Sequence, residues 1–253
     1  MIGTASRAVK FAYHPPEGVI LQDCPEEYFR PFGYTIYRTA YDDDDPEQDQ
    51  AWGSLLDRLY TDFKLEISNT FSRRQHIESE RQDTDKLKSL ARFDGRSDAT
   101  LLNGCSVENL RTIFEAGVGG APLNVDASRF KYFLFADKDV LDGVAHGESW
   151  VKIAELLYDD AKHNAKSHPH LPSKQTYFGW MKVSTGSLFF TRMWLENMTL
   201  RMLSTQARGA FPITDELFPV METTRVVEAE TRWEKARRLG IAIKDLPHSE
   251  DED

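Results

Sequence analysis

Two ionisable residues stand where ionisable residues are unexpected. Arg38 lies inside an aromatic and β-branched run, Gly33-Tyr-Thr-Ile-Tyr-Arg-Thr-Ala-Tyr41, and Asp137 closes a second apolar run that begins at Phe130. Runs of this composition favour strands, because such side chains pack well on a pleated surface. A guanidinium in one strand and a carboxylate at the end of another could hold an anion or exchange a proton beyond the strand ends of an open sheet. With Tyr37 and Trp180 as aromatic neighbours, Arg38 and Asp137 make the candidate ligand site. The plainer reading is a structural ion pair, since a buried arginine needs a counter-charge merely to be tolerated.

A second group is His163, His168 and His170, close in sequence to Asp159 and Asp160. Imidazoles with a carboxylate can bind zinc, but this spacing follows no established zinc signature, and the surrounding lysines and prolines suit a solvated loop. The two cysteines, Cys24 and Cys105, are far apart and read as reduced thiols. A nucleophilic role for either would need a base such as His146 brought close by the fold. Asp42 to Asp45 lacks the second carboxylate cluster of a magnesium site. Gly117 to Gly120 follows a helix end and lacks the Lys-Ser/Thr of a nucleotide cradle. Trp180, Met181, Phe189, Phe190, Met193, Trp194 and Met198 could line an apolar pocket, though their spacing is that of ordinary core.

Positioning these residues requires a sheet. Strands are predicted at Tyr34–Tyr41, as a central strand, at Phe130–Ala136, at Tyr177–Val183 and at 151–157, where a helix competes. Trp52, Leu55, Leu56, Leu59, Tyr60 and Phe63 form one apolar helical stripe. Ser106 is placed to cap a helix that Gly117 ends, and Ser187 to cap one running through Met202. The polar stretch from Thr70 to Arg92 reads as an exposed helix or excursion, and Phe93–Asp98 as a turn-rich loop. Val19–Leu21 is a short edge-strand candidate, and a charged helix is predicted over 223–239. The expected fold is α+β: one mixed or antiparallel sheet of about four strands covered by amphipathic helices. Residues 1–30 read as an N-terminal extension, 31–220 as the domain, and 221–253 as a charged helix with an acidic tail.

Composition narrows the partners. Lys and Arg total 31 against 41 Asp and Glu, a net charge of -10, so no basic face for nucleic acid is expected. Fifteen Phe, 9 Tyr and 5 Trp in 253 residues supply a core. Neither a secretory leader nor a membrane-spanning run is evident, which predicts a cytoplasmic protein with no membrane association. No cofactor is expected.

Gly33–Tyr41 followed by Trp52, then Phe93–Asp98, then Phe130–Leu141, then Gly179-Trp-Met-Lys-Val183 together resemble a large family of uncharacterised proteins from filamentous ascomycete fungi, over about residues 30 to 200. The resemblance implies a fungal intracellular protein with one contiguous fold, and carries no activity, cofactor or catalytic residue. The functional expectation is an interaction or regulatory protein without catalytic activity, its partner unidentified. The alternative is a small-molecule binder or enzyme with a pocket around Arg38 and Asp137. A histidine-dependent metal-binding hydrolase is the weaker third. Oligomeric state is left open.

Overall fold

The computed structural model describes residues 4–14, 26–42, 46–123, 131–159, 177–206 and 217–218. Residues 1–220 form one compact unit. The chain begins with helix α1 (Ala5–Ala12), followed by β1 (Phe32–Arg38), α2 (Pro46–Phe71), α3 (Glu78–Leu90) and β2 (Ala91–Arg96). Next come α4 (Ala99–Leu102), α5 (Val107–Ala116), β3 (Tyr132–Ala136), α6 (Lys138–Ala145) and β4 (Trp150–Glu155). Strand β5 (Trp180–Ser184) and helices α7 (Leu188–Leu195) and α8 (Leu200–Gln206) follow among the described residues. The strands lie in the order β2-β1-β3-β4-β5, and Leu217–Phe218 adds a short parallel pairing to β5. Strands β2, β1 and β3 are mutually parallel, whereas β4 runs antiparallel to both β3 and β5. The fold is therefore α+β with a mixed sheet, one strand larger than expected.

Strand alternation divides the core in two. Phe32, Tyr34 and Ile36 of β1, with Leu134, Ile153 and Val183, face a large cluster that includes α1, α2, α6 and α7. Tyr37, Phe133, Phe135 and Ala154 face the opposite side, where Leu102, Leu110 and Phe114 of α4 and α5 cover them. Both faces of β1 are thus covered, and all seven of its residues are buried. That explains why neither face of this strand is purely polar in sequence.

Helix α2 reaches Phe71, well past the end of the predicted stripe. Its buried line is Ala51, Leu55, Leu59, Phe63, Ile67 and Phe71, a strict four-residue repeat, while Tyr60 is 43% exposed. Helix α5 is bounded by local chemistry. Ser106 and Asn109 form a reciprocal capping box, and Gly117 ends the helix at φ 63°. The N-terminal segment contributes to the core, since Ala5 and Ala8 of α1 are fully buried.

Two predictions are corrected. Of the stretch Phe93–Asp98 only Ser97 and Asp98 are loop: 91–96 is a strand at the edge of the described sheet, with Gly95 packed beneath Leu56 and Trp52 of α2. Aspartate and glycine are common in turns, but parallel pairing with β1 supplies the hydrogen bonds that propensity alone does not. Ser187 does not cap α7 with its side chain, and the helix stops at Leu195 before α8 restarts at Leu200. A carboxylate from α2 takes the capping role, and Thr199 accepts the amide of Met202 at the start of α8. The Val19–Leu21 strand, the 223–239 helix and the acidic tail lie outside the described residues. No helix among the described residues is long and apolar enough to cross a membrane.

Candidate functional site

Strand order places Arg38 and Asp137 at a distinctive position. The chain leaves β1 through α2 and α3 to reach β2 on one side, then passes through α4 and α5 to reach β3 on the other. Because α2 and α5 belong to opposite faces, the crossovers diverge between the C-terminal ends of β1 and β3. Open sheets characteristically bind ligands at such a crevice. Arg38 is in register with Ala136, so Arg38 and Asp137 mark the ends of adjacent parallel strands.

Their side chains have different partners. Arg38 shares the strand parity of Ile36 and is 4% exposed. Its Nε donates to the Ala40 carbonyl at 2.8 Å, its Nη1 donates to Asp49 Oδ1 at 2.5 Å, and its guanidinium stacks 4.5 Å from the Tyr41 ring. Asp49 lies in the first turn of α2, where a carboxylate also suits the helix dipole. Asp137 caps α6 by accepting the Val140 amide at 3.2 Å through Oδ1, while its Oδ2 accepts from Lys152 Nζ at 2.6 Å. Lys152 also reaches Asp139 at 3.2 Å, and Lys182 approaches Asp139 at 3.1 Å. The result is a chain of alternating charge, Asp137, Lys152, Asp139, Lys182. Burial raises the Asp139 pKa, but hydrogen bonds from Lys182 and Lys152 outweigh it and hold the carboxyl below its ordinary range.

Tyr37 and Trp180 lie on the α5 face with these lysines. Tyr37 pairs with Phe135, Phe135 with Lys152 and Lys152 with Lys182, so one register row crosses four strands. The Tyr37 ring meets Phe133 edge-on at 5.7 Å, and Phe135 meets Trp180 edge-on at 6.1 Å. Lys152 Nζ lies 5.2 Å from the Trp180 centroid, and Lys182 Nζ 4.2 Å from that of Trp150. Burial pushes the Tyr37 phenol up to about 12, beyond use as a proton carrier near neutrality. The fold thus links Asp137 and Trp180 through Lys152, sets Tyr37 farther along the same face, and turns Arg38 to Asp49.

Lys152, Lys182, Asp139 and Asp49 were not singled out from sequence. The signal for Lys152 is the one that marked Arg38, a cation inside an apolar strand, here Trp150-Val-Lys-Ile-Ala154.

The remaining candidates separate. His163, His168, His170 and Cys24 lie outside the described residues, as do Asp43 to Asp45. His146 Nδ1 is 2.7 Å from the Asp142 carbonyl at the end of α6, while the Cys105 thiol donates to the Leu101 carbonyl at 3.3 Å on the α5 side. Val118 and Gly120 present carbonyls that accept from Arg96, the reverse of the amides a phosphate cradle requires. Phe189 is core, in contact with Phe32, Phe63 and Phe71. Met181 and Met193 are also buried, and Trp194 and Met198 pack against the same cluster.

Compared with protein-family models, curated proteins and solved structures, the chain matches none.

Two grooves are lined by described residues on other parts of the surface. Beside edge strand β2 runs an open groove of about 540 Å³ lined by Phe29, Pro31, Leu56, Tyr60, Leu90 and Phe93, with Asp57 and Arg92 among its polar residues. A shallower one of about 450 Å³ lies along α4 and α5, around Cys105 and Ile113.

Proposed function

We propose that the protein works by binding a protein partner rather than by catalysis, through the outer edge of β2, unpaired among the described residues, and the groove beside it. The observation that carries this reading is the groove itself: an open channel in which Phe29, Leu56, Tyr60 and Phe93 alternate with the polar Asp57, Ser89 and Arg92, flanked by a strand that pairs on one side only among the described residues. Unpaired edges offer amides and carbonyls to an incoming chain, and an adjacent channel offers pockets for its side chains. The charges at the strand ends support the same reading, because Arg38, Lys152 and Lys182 each have a counter-charge within the chain. A photo-crosslinking side chain at Tyr60 tests it. Adducts with a discrete partner are expected there and not from the same probe at exposed Lys138. Equal labelling at both positions, or none at Tyr60, would sink the proposal.

A second reading, a small-molecule site around Arg38 and Asp137, is favoured by the strand order, which sets these residues beside the crevice where the crossovers diverge. Under this reading a bound anion would raise Tm in proportion to the logarithm of its concentration, and Arg38→Met would abolish that rise. A rise retained in Arg38→Met dismisses it.

A further inference from the structure

We infer that the partner of the β2 edge is a second copy of this chain, paired antiparallel with Phe93 opposite Phe93. This rests on the reading of that edge as an interaction surface. The argument comes from the order of side chains along Ala91-Arg-Phe-Asp-Gly-Arg96. Phe93 stacks on Tyr34 and meets Phe63 edge-on, which places it on the α2 face. Arg96 pairs with Tyr37 in register, so Arg96, Asp94 and Arg92 share the α5 face.

A two-fold axis through an antiparallel pair makes every cross-strand contact reciprocal. With the axis at Phe93, Arg92 of each copy stands opposite Asp94 of the other, and Ala91 stands opposite Gly95. One face then carries two opposite-charge pairs and the other an aromatic pair, both favourable across strands. An axis at Asp94 would set aspartate against aspartate and Arg92 against Arg96. An axis at Arg92 would set arginine against arginine. An axis at Gly95 satisfies the charges but overlaps only 94–96 and leaves Phe93 beyond the strand pair. Alternating charge on an edge usually blocks self-pairing, yet here it blocks the competing registers and permits the one with the longest favourable overlap.

The surroundings fit a second copy. Arg92 is exposed, and Asp94 is 29% exposed while also accepting from Arg96 Nε and Nη2 at 3.0 Å, so a carboxylate edge remains open to another guanidinium. The groove opens beside the same edge, and its Tyr60 is 43% exposed.

Sedimentation equilibrium on the full chain tests the inference. Wild type is expected to be a dimer. Arg92→Asp places aspartate opposite aspartate twice and should weaken association about tenfold or more, whereas Arg92→Lys should preserve it. Asp94→Arg alone should also lose the dimer, and an equimolar mixture of Arg92→Asp with Asp94→Arg should restore it as a heterodimer, since both cross-pairs become complementary. Circular dichroism establishes that each variant is folded. Should Asp94→Arg misfold, the Asp and Lys variants at the exposed position 92 still decide. A dimer unaffected by Arg92→Asp overturns the inference. So does a monomeric wild type: with a different protein captured at Tyr60 the interaction reading stands, and with no adduct there both readings fail.

Discussion

The carboxylate of Glu66 caps a helix to which it does not belong: its oxygens accept the amides of Phe189 at 2.8 Å and Phe190 at 3.1 Å, across 123 and 124 residues of chain. Glu66 is 4% exposed in α2, and the amides belong to the first turn of α7, whose donors have no intrahelical acceptor. Burial raises the Glu66 pKa to about 8, against the lowering effect of the two amides, and nearby Asp62 adds to the rise. A folded-state value above the ordinary 4.5 means that this group favours the folded protein most below pH 4.5, and that the contribution is lost as pH rises toward 8. Glu66→Gln keeps an acceptor and cannot ionise. Its Tm relative to wild type should therefore climb between pH 5 and 8 (roughly the window between the two pKa values). Glu66→Ala should be destabilising throughout, by about 1–3 kcal/mol for each amide left without an acceptor. A pH-independent gap between Glu66→Gln and wild type would contradict the assignment.

Gly33 and Gly53 should respond oppositely to alanine. A Cβ at Gly33 would fall 1.7 Å from the Arg92 carbonyl oxygen, so β1 and β2 would have to separate. Gly33→Ala is expected to lose at least about 2 kcal/mol in urea denaturation. A Cβ at Gly53, inside α2, meets nothing within 4 Å. Gly53→Ala should stabilise by about 0.5–1 kcal/mol through helix propensity alone.

The Arg38–Asp49 pair is asymmetric, with side-chain exposures of 5% and 78%. Removing the exposed carboxylate strands a buried guanidinium, whereas removing the arginine leaves a carboxylate in water. Asp49→Ala should therefore cost more, about 1–3 kcal/mol, than Arg38→Met, at under about 1 kcal/mol. A cost for Asp49→Ala no greater than that for Arg38→Met would contradict this asymmetry.

Asp139 titration reports on the alternating charge chain. Its depressed pKa contributes stability above the ordinary 3.8 that is lost as pH falls through the lower folded value. Lys182→Met should move the carboxyl titration of Asp139, followed by carbon NMR, back toward the ordinary range. Lys138→Met should not, because Lys138 pairs with Asp142.

Some features depend only on near neighbours in sequence, and these were legible. Ser106, Asn109 and Gly117 bound α5 through contacts spanning a few residues, and the apolar runs ending at Arg38 and Ala136 form strands. The aspartate and glycine of 91–96 concealed β2, since a strand made by its neighbour has little signal of its own. Likewise Ser187 looked like a cap because nothing in its vicinity announces Glu66.

By itself, the sequence determined the α+β class, three of the central strands, the α5 boundaries and the presence of a buried cation at Arg38. Local backbone preference and apolar periodicity suffice for these. Only the tertiary structure decided that Arg38 pairs with Asp49 while Asp137 pairs with Lys152, and that β2 forms the edge of the sheet among the described residues. Ion pairing depends on which charge the fold brings within reach, and an edge depends on which strand finds a partner on one side only. Both are settled by packing between residues far apart in the chain.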